Sequence, residues 1–137
     1  MVHERLQDLP PALAQDLLRT GVQHQWRSGQ SVMRQGAACD MLVVGLQGRL
    51  AVTLGSADGR DTLLRWLAEG ELVGLPAVLA GRPATVSIVA QEPARSLHVA
   101  RADFIDLLQR HPDGAIAIAV LVSRRLGELF GYLEMSQ

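Results

Sequence analysis

Nine of the thirteen glycines in this 137-residue chain fall between Gly29 and Gly81, in a stretch of short apolar runs. Glycine weakens helices and supplies the positive φ angles of tight turns. That density therefore excludes a long helix there and calls for many short strands joined by turns. Residues 31–33, 41–46, 49–54, 62–67, 85–89 and 96–99 are alternating or apolar runs separated by turn residues. Residues 25–100 read as eight or so strands of a sandwich or roll. Within them Ser56-Ala57-Asp58-Gly59-Arg60 is a hairpin turn, with Asp-Gly offering the positive φ angles it needs.

The flanks carry a helical texture. Residues 1–24 hold a short helix after Leu9-Pro10. Pro11 suits its first turn, Leu13, Leu17 and Leu18 form its apolar stripe, and Gly21 marks its stop. Residues 101–137 hold two more. Asp103 is placed to cap a helix over 104–110, which Pro112 ends. A longer helix runs from about Gly114. In it Ala119, Val122, Leu126, Leu129 and Leu133 follow 3-4-3-4 spacing, the seam of a coiled coil. Such a stripe either docks on the domain's own sheet or pairs two subunits, and dimerisation is the favoured expectation.

Bulk properties exclude several classes. The net charge of −1 gives no nucleic-acid or anionic-membrane surface. The single Cys39 excludes an internal disulfide and any multi-cysteine metal or cluster site within the chain. The first ten residues mix charge signs and lack an apolar core, so they are not a secretory signal. The longest apolar run, 115–122, is too short to span a bilayer. The expectation is a cytoplasmic protein without a membrane segment. His3, His24, His98 and His111 are scattered, with no His-x-His pair followed by Glu, so no metal site is expected. Nothing in the spacing asks for an enzyme. An enzyme on such a roll would need histidines and carboxylates clustered inside it.

Residues 70–90, GELVGLPAVLAGRPATVSIVA, have the glycine spacing of a phosphate-binding cassette. They resemble the cassette of the cyclic-nucleotide-binding effector domain of the CRP/FNR superfamily of bacterial transcription regulators. Gly70, Glu71, Gly74, Ala77, Gly81, Pro83 and Ala90 match that frame. Gly29, Gln35-Gly36, Gly48 and Asp58-Gly59 stand where the family places its turns. The family's ribose-holding Glu falls on Leu75, and its phosphate-gripping Arg falls on Ala84.

The resemblance covers nearly the whole chain. It implies a cupin-like antiparallel β-roll, or double-stranded jelly roll, followed by a dimerisation helix. It also implies DNA binding only through a helix-turn-helix domain outside this chain, so that 1–137 is the sensory half of a longer regulator. The implied pocket residues are Val73, Gly74, Leu75, Pro76, Arg82, Ala84 and Thr85. Without the Arg and the Glu, cyclic AMP is not the expected ligand. A haem-based sensor is an alternative, with Leu75, Val78 and the Ala-rich long helix lining an apolar pocket and His98, His24 or His3 as axial ligand. A thiol switch at Cys39 is not expected. A ligand-free dimerisation or docking module is the other alternative, its cassette collapsed onto Leu75.

Overall fold

The computed structural model describes residues 4–135. A 3₁₀ turn (Leu6–Asp8) leads into α1 (Pro11–Thr20). Eight strands follow: β1 (Val22–Trp26), β2 (Ser31–Met33), β3 (Met41–Gln47), β4 (Leu50–Gly55), β5 (Asp61–Leu67), β6 (Leu72–Val73), β7 (Ser87–Ala90) and β8 (Ala94–Ala100). Helix α2 (Leu75–Ala80) separates β6 from β7, and α3 (Arg101–Arg110) and α4 (Pro112–Met135) follow β8. The strands form two four-stranded sheets, ordered β1-β8-β3-β6 and β2-β7-β4-β5, with every pairing antiparallel. This is the β-roll with flanking helices and a long C-terminal helix that the sequence predicts.

Period-two alternation divides the core. In β8, Leu97 and Val99 join Phe104, Leu107, Leu13 and Leu17 on the helix side. Ala94 instead joins Val43, Val52, Val73 and Ile88 between the sheets. His98 lies directly across from Val43 and shares its inward face.

Glycine does what its density suggests. Gly48 takes φ +81° between β3 and β4, and a side chain there would run into Pro93 and Ala94. In the 56–60 loop only Gly59 has positive φ, at +82°, and the loop is closed by Ser56 N–H donating to Arg60 O at 2.9 Å. Asp58 keeps an ordinary φ because this five-residue loop is longer than a two-residue hairpin turn.

Several local expectations change. The roll begins at Val22 rather than Gln25, since β1 pairs along its whole length with β8. α3 starts at Arg101, so Asp103 sits in its first turn and does not cap it. Pro112 opens α4, where its missing N–H costs nothing. Leu18 is exposed, leaving Leu13 and Leu17 as the buried stripe of α1. On α4, Ile118 and Leu121 are buried and Val122 packs partly against the helix-side core. Leu126, Leu129 and Leu133 are 52%, 52% and 55% exposed, and Ala119 is exposed as well. No helix among the described residues is long and apolar enough to cross a membrane.

Candidate functional site

The cassette is shaped by its glycines. Gly70 N–H donates to Gly45 O at 2.8 Å, turning the chain into β6. Gly74 takes φ +107° ahead of α2, and a Cβ there would stand 3.3 Å from Met41 O. α2 ends on Gly81 at φ +66°, and the next amide, Arg82 N–H, donates back to Ala77 O at 2.9 Å. Glu71 between them is buried, and its Oε1 accepts from Ala68 N–H at 2.7 Å.

Beside this frame lies a cavity of about 350 Å³. Four of the seven expected residues line it: Val73, Gly74, Pro76 and Thr85. Leu75 and Ala84 do not; at 1% and 5% exposure both are packed into the helix-side core. Arg82 is exposed at the 81–83 tip and does not line the cavity. The reason is geometric. The first residue of α2 turns its side chain toward α3 and β3, and the tip holds Arg82 out in water.

Two cations absent from the sequence-based set line the cavity instead, Arg65 from β5 and Arg125 from α4. Each had a signal. Arg65 is the single charge in the run 62–67, and Arg125 continues the buried 3-4 stripe of Ile118 and Leu121. Arg65 is largely buried, with Nη1 3.4 Å from Glu71 Oε1 and Nη2 3.4 Å from Leu72 O. Burial lowers its pKa, Glu71 opposes that shift, and Arg125 adds to it by repulsion. Arg125 Nη1 donates to both carboxylate oxygens of Glu4, at 2.8 and 3.0 Å. Glu4 is itself only 3% exposed. The remaining walls, from Val52, Leu64, Val73 and Val86, are apolar. The cavity therefore pairs guanidinium donors with a greasy body. Arg65 is the looser of the two cations, because both its hydrogen bonds are long.

A second group of side chains sits on the inner face of β1 and β8. The rings of His24 and His98 stack at 4.3 Å between centroids, with Trp26 at 5.9 Å from each. Trp26 Nε1 donates to Ser96 Oγ at 2.8 Å, and Ser96 Oγ lies 2.9 Å from His98 Nε2. Burial, then His24, lowers the His98 pKa to about 4, so the ring is neutral at pH 7. Its Nδ1 has no partner among the described residues. His98 also lines a second cavity, of about 340 Å³, with Met33, Cys39, Met41 and Val43.

Leu75 and Val78, expected to line a haem pocket, are packed in the core and line neither cavity. His3 lies outside the described residues. Burial pushes the Cys39 thiol pKa up, and the neighbouring Asp40 carboxylate adds to the rise. No group of three His, Cys, Asp or Glu side chains able to hold a metal occurs among the described residues.

The family model for the cyclic nucleotide-binding domain matches residues 23–111. The chain belongs to this family. The solved catabolite activator protein of Thermus thermophilus superposes with a TM-score of 0.84 at 27% identity, over 93% of this domain and 60% of that chain. The Aspergillus oryzae lysophospholipase nte1 is 30% identical over 131 residues, which are 92% of the domain and 8% of that protein. The cAMP-activated global transcriptional regulator CRP of Pasteurella multocida is 24% identical over 104 residues, 75% of the domain and 50% of the regulator. The domain thus spans a small part of the lipid hydrolases it matches and about half of the transcriptional regulators. Its cyclic-nucleotide-binding fold is of the CRP/FNR kind.

Proposed function

We propose that the chain is the sensory domain of a cytoplasmic CRP/FNR-type regulator that responds to an anion other than an ordinary cyclic nucleotide. One observation carries this reading. The positions of the family's Glu and Arg hold Leu75 and Ala84, both packed in the core, while Arg65 and Arg125 face the cavity. Losing a buried charged partner costs about 2–5 kcal/mol. Losing the ribose acceptor costs about 1–3 kcal/mol more. At about 1.4 kcal/mol per factor of ten, cyclic AMP is weakened by several orders of magnitude.

An anion in the cavity competes with Glu71 for Arg65 and with Glu4 for Arg125. Arg125 stands on α4, so that competition biases where the helix sits, which is a population shift. The exposed seam of Leu126, Leu129 and Leu133 pairs two subunits, and DNA is read by a helix-turn-helix domain outside residues 1–137. The open cavity argues against the ligand-free module, because Leu75 does not fill it.

Calorimetric titration with cyclic AMP tests the reading. No heat at millimolar nucleotide is expected, and micromolar affinity would overturn it. The match to the Aspergillus oryzae lysophospholipase favours a second host, a regulatory module inside a larger lipid-hydrolysing protein. The size of the native polypeptide distinguishes the two hosts.

A further inference from the structure

The cavity at Arg65 and the cavity at His98 have similar volumes, about 350 and about 340 Å³. The wall between them is one residue thick. Gly74 lines the first cavity, and the place where its Cβ would stand is 3.7 Å from Met33 Cε, 3.7 Å from Cys39 Sγ and 3.3 Å from Met41 O. Met33, Cys39 and Met41 all line the second cavity. Val73 and Val43 are direct partners across β6 and β3, and one lines each cavity. Met33 packs against both the helix-side and the inter-sheet core, so its thioether straddles the partition. An unbranched methionine with three rotatable bonds is the side chain best able to swing out of such a gap.

The chemistry of the two chambers is complementary. The first carries the cations Arg65 and Arg125. The second has an apolar wall of Val32, Met33, Ala37, Ala38, Met41 and Val43, with Ser31, Arg34 and Asp40 also lining it. It also holds a neutral imidazole whose buried Nδ1 has no partner among the described residues. Ser96 Oγ accepts from Trp26 Nε1 and lies 2.9 Å from His98 Nε2, a bond whose direction follows the tautomer of the ring. A buried ring nitrogen without a partner calls for an explanation, and a bound group is one.

We propose that the two chambers form one elongated site for an amphipathic anion. Its phosphate or carboxylate head lies at Arg65 and Arg125, and its apolar body passes the displaced Met33 side chain to end near His98. The proposal rests on the anion reading above and adds the class of ligand. Either chamber alone is at the small end of the usual range for a ligand pocket, and the two together reach its middle.

The test is calorimetry on the whole chain with three probes: methyl phosphate (head only), n-octanol (tail only) and n-octyl phosphate. Octyl phosphate is expected to bind at least about a hundredfold tighter than methyl phosphate, since each buried methylene adds severalfold. Met33→Trp, which plugs the partition, is expected to abolish that gain. In the unaltered protein, the ¹³C-methyl resonances of Met33 and Met41 are expected to shift with octyl phosphate and not with methyl phosphate. Octyl phosphate binding no tighter than methyl phosphate, with both methyls unmoved, would overturn the joined site and leave the anion reading standing. Octanol binding as tightly as octyl phosphate, with Arg65→Gln without effect, would overturn the anionic head and the reading it rests on.

Discussion

Replacing Leu75 by Glu restores the residue type of the family at that position, and the structure predicts that it damages the fold rather than repairing the site. Leu75 is 1% exposed among Val78, Phe104 and Leu107, a cluster of apolar side chains. The exchange removes about 2 kcal/mol of apolar burial. A carboxyl held neutral there at pH 7, against an ordinary value near 4.3, costs about 3.7 kcal/mol more. The total of about 6 kcal/mol is comparable to the whole stability of a small domain.

The folded-state pKa of this new group is raised, so the folded form holds the extra proton and the penalty grows with pH. At pH 5 the neutralisation cost falls to about 1 kcal/mol, and the variant recovers about 3 kcal/mol relative to the unaltered chain. Urea unfolding at both pH values, followed by the fluorescence of Trp26 and Trp66, measures this, with Leu75→Gln as the pH-insensitive control. A loss below about 1 kcal/mol that is equal at both pH values, or a gain of cyclic AMP binding, would place side chain 75 in the cavity and refute the reasoning.

Three further outcomes are expected. His98 has a folded-state pKa of about 4 against 6.5, so the unfolded chain binds more protons as the pH falls through that window. Stability should drop by about 3 kcal/mol between pH 7 and pH 4 on this account alone. His98→Phe should flatten that limb in urea titrations, and an unchanged acid limb would count against it. Arg125→Met strands the buried Glu4 carboxylate and should cost about 2 kcal/mol, discounted for the partial exposure of the arginine, while adding Glu4→Gln should return most of it. A double-mutant cycle showing no coupling would contradict this. The pair Leu126→Glu and Leu129→Glu should convert a dimer to a monomer in sedimentation without loss of helix signal, and a monomeric unaltered chain would remove the seam from the dimer.

The roll was legible because its glycines mark real turns: Gly36, Gly48, Gly59, Gly70 and Gly81 all adopt positive φ. β1 and β6 were not legible as strands. β1 carries His24 and Trp26 inward among glutamines, so its pattern is polar, and β6 is two residues long, below any periodicity. In the cassette, Val73, Gly74, Pro76 and Thr85 do line the cavity, because these belong to the turn and strand ends that the glycines fix. Spacing could not place Leu75, whose direction depends on how α2 rests on its neighbours, or Ala84, which is held by backbone bonds to Gly36 and Ala37. Arg65 and Arg125 are sixty residues apart and meet only once β5 and α4 have closed over β6.

The most direct test of the central claim is a methyl phosphate titration watched through the guanidinium ¹⁵N resonances of Arg65, Arg125 and Arg82. The expected result is saturable shifts at Arg65 and Arg125 with Arg82 unmoved. Shifts confined to Arg82, or none at all, would contradict it.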